Sequence, residues 1–286
     1  MIKCFYHRID LDGHCSGAII KKKFSNVKLI GIDYNDIFPW EEIDKDCTIY
    51  MVDFSLSSPE DMISLYNSCN FIWIDHHESA LKQSKEYGYD KYIDGIRSLD
   101  KAGCELTWEY CFSKKIPLHV WLAGRYDVWQ HHEDERILPY QAGSKLYKTF
   151  PNNDSFWKPL WDNDTSFLNN IIAEGQTVLK YESIMNHRIC KSQSYTIKFH
   201  GIRFLAINRS FINSKFFDTI YDPSLHDAVM SYSYLHKNNV WRVSIYTSKT
   251  DEIDLSILAK QYGGGGHKGA AGFLLNVDDI GLILKK

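Results

Sequence analysis

Three short apolar runs that each end at acidic or imidazole residues constrain the fold of this chain most strongly. IKCFY, TIYMV and FIWI are rich in β-branched and aromatic residues, as buried strands are, and they are followed by His7, by Asp53 and by Asp75-His76-His77. Helical patterns lie between the runs, and this alternation predicts an α/β fold with a parallel sheet covered by helices on both faces. Because ligands of such sheets bind at the carboxyl ends of the strands, these side chains are expected to meet at one edge.

The pattern changes along the chain and predicts two domains joined by a helix. Residues 166–190 have apolar side chains mostly on one stripe, which predicts one long amphipathic helix. The segment DSFWKPLWDND at 154–164 is polar, aromatic and contains proline, which favours a surface connection. The expected parts are a catalytic domain at 1–165, a linker helix at 166–192 and a smaller mixed α/β domain at 193–286.

The sequence pattern of the second domain is typical of several short strands. A glycine in the middle of YTIKFHGIRFLAIN predicts a hairpin at His200-Gly201. Strands are expected at 227–235 and 240–247, separated by a polar turn, and a short helix at 255–262. Four glycines and a last strand follow this helix.

Composition and charge exclude several classes of protein. A hydrophobic fraction of 44% can fill real cores, and a formal net charge of −3 excludes a broadly cationic nucleic-acid coat. No apolar run approaches the roughly 20 residues of a membrane span, and MIKCFYHRIDLDG lacks the apolar core of a signal peptide. The seven cysteines include no CxxC pair, which favours free thiols. We therefore expect a cytoplasmic protein with no membrane association.

The acidic and imidazole residues form a donor set for divalent metal ions. HRIDLDG places His7, Asp10 and Asp12 on a turn between a strand and a helix, although a polar turn with an aspartate N-cap explains this segment equally well. Carboxylates with imidazoles suit Mn²⁺, with Mg²⁺ or Co²⁺ as alternatives, better than a thiolate zinc site. If two metal ions bind about 4 Å apart, one carboxylate must bridge them, and Asp53 is the best candidate.

Five motifs occur in an order that spans nearly the whole chain: HRIDLDG, VDFS, IDHHES, GRYDVW and YGGGGHKGAAGF. Together they resemble the DHH-family phosphoesterases with a C-terminal DHHA1 domain, a group that includes oligoribonucleases and phosphatases of 3′-phosphoadenosine nucleotides. The resemblance implies that the first domain holds two divalent metal ions and that the DHHA1 domain binds substrate. It also implies roles for individual residues. The implied ligands are His7, Asp10 and Asp53 for one metal ion, and Asp12, Asp53, His76 and Asp127 for the other.

The same resemblance implies residues that contact the substrate. His77 would face the scissile phosphate, and Asp75 would orient the neighbouring histidine. The alternative for a glycine tract is a flexible linker, but glycines expose backbone N–H groups to a phosphate. Where many relatives have an arginine, this chain has Tyr246, which would stack on a base, and Arg209 would replace the cation or lie on the surface. The implied substrate-binding residues of the second domain are Gly263, Gly264, Gly265, Gly266, His267, Tyr246 and Arg209.

These expectations define a function and two rivals. The expected protein is a manganese-dependent phosphoesterase that hydrolyses short oligonucleotides, 3′-phosphoadenosine nucleotides, or cyclic or linear dinucleotides, by two-metal activation of water. The rivals are a non-catalytic nucleotide-binding sensor and a 5′→3′ single-strand exonuclease, which would need an extended basic and aromatic channel. No binding of long duplex DNA is expected, and the sequence leaves a homodimer open.

Overall fold

The computed structural model describes residues 1–284, and the chain divides into two compact units, Met1–Leu179 and Lys180–Lys286. The helix predicted at 166–190 is confirmed as part of a 29-residue helix, Thr165–Gln193, and the boundary between the units falls inside it. The assignment of 1–165, 166–192 and 193–286 to a catalytic domain, a linker and a substrate-binding domain stays a prediction.

The first unit is built on a parallel sheet. Its four strands are β1 (Ile2–His7), β2 (Lys28–Ile32), β3 (Thr48–Val52) and β4 (Asn70–Ile74), in the order β2-β1-β3-β4. The helices are α1 (Leu11–Lys23), α2 (Pro59–Ser68), α3 (Glu78–Tyr87), α4 (Gly103–Phe112), α5 (Leu118–Asp127), α6 (Ile137–Ser144), α7 (Asp154–Trp161) and α8 (Thr165–Gln193).

Helices cover both faces of this sheet, as predicted. Side chains alternate along β3, so that Tyr50 and Val52 belong to one buried cluster while Ile49 and Met51 belong to another. The first cluster includes residues of α1, α4, α5, α6, α7 and α8, and the second includes residues of α2 and α3. A sheet buried on both faces leaves only the strand ends for a polar site.

The expectation that 154–164 is a surface connection is wrong. Asp154–Trp161 is helix α7, and Phe156, Trp157 and Leu160 are buried in the first cluster. Pro159 lies inside this helix, within two turns of its start. The spacing of the apolar residues therefore outweighed the proline and the flanking acids.

The second unit contains a six-stranded mixed sheet. Its described strands are β5 (Tyr195–Phe199), β6 (Ile202–Asn208), β7 (Ala228–Leu235), β8 (Val240–Tyr246), β9 (Gly265–His267) and β10 (Ala270–Asn276), in the order β5-β6-β7-β8-β10-β9. Only β6 and β7 run parallel among neighbouring strands of that described sheet. The second unit also contains the end of α8, together with α9 (Leu255–Gln261) and α10 (Gly281–Leu284).

The local predictions for this unit are confirmed. β5 and β6 form the expected hairpin, with positive φ angles of 50° at His200 and 82° at Gly201, as a tight two-residue turn requires. The glycine run is not a loop throughout, because Gly265 and Gly266 belong to the edge strand β9, which pairs with β10. None of the helices in the described chain is both long and apolar enough to cross a membrane.

Candidate metal centre

Polar side chains gather where the parallel strands of the first unit end. His7 is the last residue of β1, Asp53 follows β3, and Asp75, His76 and His77 follow β4. Because the strands are parallel, these ends lie at one edge of the sheet, as the sequence predicts. Helix α1 begins at the same edge, directly after β1, and brings Asp10 and Asp12 to it.

One group of donors consists of His7, Asp10 and Asp53, whose candidate ligand atoms lie within 4.8 Å of one another. His7 Nδ1 is 2.8 Å from Asp10 Oδ2 and 3.8 Å from Asp53 Oδ2. His7 Nδ1 is buried and makes no hydrogen bond of acceptable geometry with the described residues, despite the short distance to Asp10. The three side chains are therefore candidate ligands of one metal ion.

Asp10 also caps helix α1, so the two interpretations of HRIDLDG are compatible. Its Oδ1 accepts a hydrogen bond of 2.9 Å from the backbone N–H of Gly13, while its Oδ2 lies beside His7. The N-cap bond fixes the carboxylate and leaves one oxygen for a metal ion.

A second group consists of Asp12, His76 and Asp127, again with ligand atoms within 4.8 Å. His76 Nε2 lies 3.5 Å from Asp12 Oδ2 and 3.3 Å from Asp127 Oδ2. It also lies 3.1 Å from Oδ1 of Asp53, which connects this group to the first. Asp53 therefore stands between two donor groups, the position in which a bridging carboxylate would lie.

Helix ends position the two aspartates of this second group. Both oxygens of Asp12 accept backbone hydrogen bonds at the start of α4, from Gly103 at 2.8 Å and from Cys104 at 2.7 Å. Asp127 is the last residue of α5, where the helix dipole disfavours a negative charge. A nearby cation would offset that cost, so a plain structural role explains Asp127 poorly.

Asp75 holds His77 in place. Its carboxylate is fully buried, and Oδ1 lies 2.7 Å from His77 Nδ1 and accepts a 2.8 Å bond from the backbone N–H of His76. Burial lowers the pKa of His77, but the hydrogen bond and charge of Asp75 outweigh it and raise that pKa. With Nδ1 occupied, His77 has Nε2 left for another partner.

The charge balance of the site calls for cations. Burial first, and then the charges of Asp12 and Asp10, raise the pKa of Asp53 well above its usual range. The same causes raise the pKa of Asp127 to about 8. Several carboxylates this close cannot all stay ionised at neutral pH without positive charge between them. The oxygen and imidazole donors match a hard divalent ion, so the residues fit the metal centre that the motifs imply.

The backbone around Asp53 is shaped for close packing. Asp53 has a φ of 54°, an uncommon left-handed conformation for a residue other than glycine. A Cβ atom at Gly103 would lie 2.6 Å from Cβ of Asp53, so only glycine fits there. Such strain at a buried aspartate is typical of a functional position.

Two further residues lie at this edge that the sequence motifs do not predict. Asp33 follows β2, and its Oδ1 lies 3.6 Å from His7 Nε2. The Tyr34 ring is centred 5.6 Å from that of His7 and 6.0 Å from that of His77. Burial and the charges of Asp75 and Asp53 raise the pKa of the Tyr34 hydroxyl, so it stays protonated as a hydrogen-bond donor. The apolar residues of VKLIGI directly before Asp33 are the signal, weaker than at the other strands, that could have indicated it.

The remaining candidate residues belong to the second unit. In the sheet register His267 is paired with Ala270, and Ala270 with Tyr246, so the three lie in one row across β9, β10 and β8. Gly263 to Gly266 and His267 lie at this edge and are largely exposed. Tyr246 packs against a cluster that includes Phe216, over whose ring the Arg209 guanidinium lies at 5.5 Å. Their roles in substrate binding stay predictions.

Known proteins share the fold and part of the sequence. No family model matches the chain. An uncharacterized protein, R106 of Acanthamoeba polyphaga mimivirus, is 28% identical over 269 residues, which are 86% of this chain and 60% of that relative. The chain therefore spans less than two thirds of the length of this curated relative.

Among solved structures, the pGpG-specific phosphodiesterase PggH from Vibrio cholerae superposes with a TM-score of 0.59 at 13% identity, over 98% of this chain and 94% of PggH. Exonuclease RecJ bound to manganese gives a TM-score of 0.46 at 11% identity, over 98% of this chain and 86% of RecJ. The chain shares the two-domain α/β fold of PggH, which is the architecture that the motif resemblance implies. The resemblance that the motifs indicate is thus confirmed for the fold.

Proposed function

We propose that this protein is a manganese-dependent phosphoesterase that hydrolyses small nucleotidic substrates. The observation that carries the proposal is the position of Asp53 between two groups of donors. One group adds His7 and Asp10, and the other adds Asp12, His76 and Asp127. This set matches the ligands that the motifs imply for two metal ions.

Two divalent ions at this centre would supply an activated water and would stabilise negative charge on a phosphoryl group. The protein's own contribution is to hold the carboxylates in position and to balance the charge of the bound ions. Asp12 is held by two backbone N–H groups, and Asp10 by one, so neither carboxylate has to reorganise.

His77 is proposed to stabilise the reacting phosphate. Its Nδ1 is bound to Asp75, which raises the pKa of the imidazole and favours the protonated form. A protonated Nε2 would donate to a phosphoryl oxygen on which charge builds up. Tyr34, beside His77, would donate a second hydrogen bond to the same substrate group.

Small substrates are favoured by the structural neighbour and by the charge. PggH is described as specific for pGpG, a linear dinucleotide, and it shares the fold. The net charge of −3 gives no broad cationic surface to hold long polyanions. Cyclic or linear dinucleotides, short oligonucleotides and 3′-phosphoadenosine nucleotides are therefore the proposed substrates. A cytoplasmic location agrees with the seven cysteines, all free in the structure.

A hydrolysis panel with Mn²⁺ tests the proposal. We expect mononucleotides to be released from pGpG or another dinucleotide, or phosphate from 3′-phosphoadenosine 5′-phosphate, and little cleavage of long single strands. Elemental analysis should find about two metal ions per chain. Repeating the hydrolysis panel with Mg²⁺ or Co²⁺ in place of Mn²⁺ identifies the metal ion that best supports activity.

Two variants connect activity to the centre. Asp53→Ala and His76→Ala should abolish hydrolysis, while the exposed Asp46→Asn should leave it unchanged. Full hydrolysis by Asp53→Ala would overturn the proposal. Two bound metal ions without turnover on any nucleotide would favour a sensor, and processive digestion of long single strands would favour an exonuclease.

A further inference from the structure

The first unit has a cavity away from the strand ends that carry the proposed metal centre. Its volume is about 790 Å³, which is within the range of small-ligand sites. We call it the tryptophan cavity. Its walls come from the end of α1, the end of α4, the start of α5 and the end of α7. They are formed chiefly by Lys22, Trp108, Lys114, Lys115, His119, Trp121 and Trp161.

Flat aromatic surface dominates the wall. The rings of Trp108 and Trp161 are stacked, 5.9 Å apart with an angle of 17° between them. Trp157 stacks on Trp161 from outside the cavity lining, 5.7 Å away, and holds that ring in place. Trp121 adds an indole that, like Trp161 and unlike the buried Trp108, is partly exposed. The partly exposed Trp121 indole, beside this rigid stack, favours a planar ligand that can stack on it.

One buried polar atom in the wall lacks a partner. His119 is only 4% exposed, and its Nε2 makes no hydrogen bond to any described residue. Burial, and secondarily the charge of Lys22, lowers the pKa of His119 to about 3, so the ring is neutral at pH 7. A neutral imidazole has one donor and one acceptor nitrogen. An unsatisfied buried polar group is costly, and a ligand with a polar edge would remove that cost.

The charge at the cavity is positive. Lys22, Lys114 and Lys115 are exposed lining residues, and no acidic side chain is among the described residues that line the cavity. The Lys22 ammonium lies 5.3 Å from the centre of the Trp161 ring, so a cation and a stacking surface are adjacent. A ligand that combines a planar ring with a negative group matches both features.

We infer that the tryptophan cavity is a binding site for a nucleoside monophosphate. The base would stack on the Trp121 indole, beside the Trp108–Trp161 stack, with its polar edge toward His119. The phosphate would lie among Lys22, Lys114 and Lys115. Helices α4 and α5 each reach the metal centre with one end and the cavity with the other, and ten residues of helix span about 15 Å. The site is therefore separate from the proposed catalytic one, and the inference does not depend on hydrolysis.

The test observes the cavity directly, with AMP as the probe. The whole chain, labelled with 5-fluorotryptophan, gives ¹⁹F resonances that the variants Trp108→Phe, Trp121→Phe and Trp161→Phe assign. Without added metal, AMP should shift the resonances of Trp121 and Trp161, and leave that of Trp241, in the second unit, unchanged. Adenosine should bind more weakly, and inorganic phosphate alone should cause no comparable shift.

Exposed lysines supply variants that should fold normally. The double variant Lys114→Gln/Lys115→Gln should weaken the binding of AMP about tenfold, because charge-assisted hydrogen bonds to the phosphate are lost. Its binding of adenosine should be unchanged. His119→Leu should weaken the binding of AMP and the binding of adenosine to the same extent. Lys145→Gln, at another exposed position of the same unit, is the matched control and should change neither.

Three results would overturn the inference. The first is that millimolar AMP moves none of the three assigned cavity resonances. The second is that AMP and adenosine bind equally well, which would make the phosphate irrelevant. The third is that inorganic phosphate reproduces the shifts of AMP, which would make the base irrelevant.

Discussion

Arg125 and Glu105 form an ion pair that is almost entirely buried between helices α5 and α4. Glu105 also accepts a 3.2 Å hydrogen bond from the backbone N–H of Ala102, at the start of α4. The pair therefore fixes the start of α4, whose N–H groups hold Asp12. Arg125 itself lies two residues before Asp127 on α5. An ion pair that touches no substrate thus positions two of the proposed metal ligands.

Breaking this pair on one side should be costly. Arg125→Leu leaves the Glu105 carboxylate buried without its partner, and we expect the free energy of unfolding to fall by about 3–5 kcal/mol. The measurement is urea unfolding of the metal-free protein.

A second change should restore part of that loss. Adding Glu105→Gln to Arg125→Leu removes the buried charge but keeps an acceptor for Ala102, so the double variant should be more stable than Arg125→Leu alone. Arg136→Leu breaks a more exposed pair with Asp134 and should cost about 1 kcal/mol or less. If Arg125→Leu were as mild as Arg136→Leu, the positioning role would be wrong.

Asp53 should stabilise the protein only when metal ions are bound. Without metal, its buried carboxylate is repelled by Asp12 and Asp10. Asp53→Asn should therefore raise the free energy of unfolding of the metal-free protein, on the order of 1 kcal/mol. With Mn²⁺ at 100 times its Kd the parent gains about 2.7 kcal/mol, and the variant should lose most of this gain. Thermal unfolding with and without Mn²⁺ measures both effects, and equal Mn²⁺ stabilisation of parent and variant would contradict the bridging position.

The glycine run offers a matched pair of substitutions. Gly266 has a φ of 136°, and a Cβ atom there would lie 2.5 Å from the carbonyl oxygen of Ala270. Gly265 has no such constraint, and a Cβ atom there would meet nothing within 4 Å. Gly266→Ala should thus destabilise the second unit, whereas Gly265→Ala should leave its stability unchanged. If a ligand approaches this backbone as proposed, Gly265→Ala should still raise the KM for the dinucleotide several-fold, and an unchanged KM would remove Gly265 from the substrate site.

The strand ends were predictable because each central strand is a buried run with an abrupt polar end. That contrast located His7, Asp53 and His76, and the structure places them at one edge of the sheet. Asp33 was missed because β2 is an edge strand whose side chains are mostly half-exposed, so the change to polar residues after Ile32 is weaker. Motif resemblance supplied Asp127, for which local sequence gives only a helix-end aspartate.

Contacts between distant segments could not be predicted in the same way. The tryptophan cavity combines Lys22, residues near 115–121 and Trp161, which no spacing rule joins. The proline and the acids of 154–164 predict a connection at the position of helix α7. Its Phe156, Trp157 and Leu160 are nevertheless buried, so tertiary packing decided the structure of this segment.

His119 should make the stability of the first unit sensitive to acid. Burial lowers its pKa to about 3, below the value of about 6.5 for an unfolded chain. Between these two values the unfolded chain binds a proton that the folded protein does not, so this contribution to stability is complete above pH 6.5 and falls as the pH decreases. The fall approaches about 1.4 kcal/mol per pH unit within this window. Urea unfolding of the parent and of His119→Leu at pH 7, 6, 5 and 4 should show a shallower pH slope for the variant. The exposed His132→Gln should keep the parent slope, and equal slopes for parent and His119→Leu would show that His119 is not held neutral by burial.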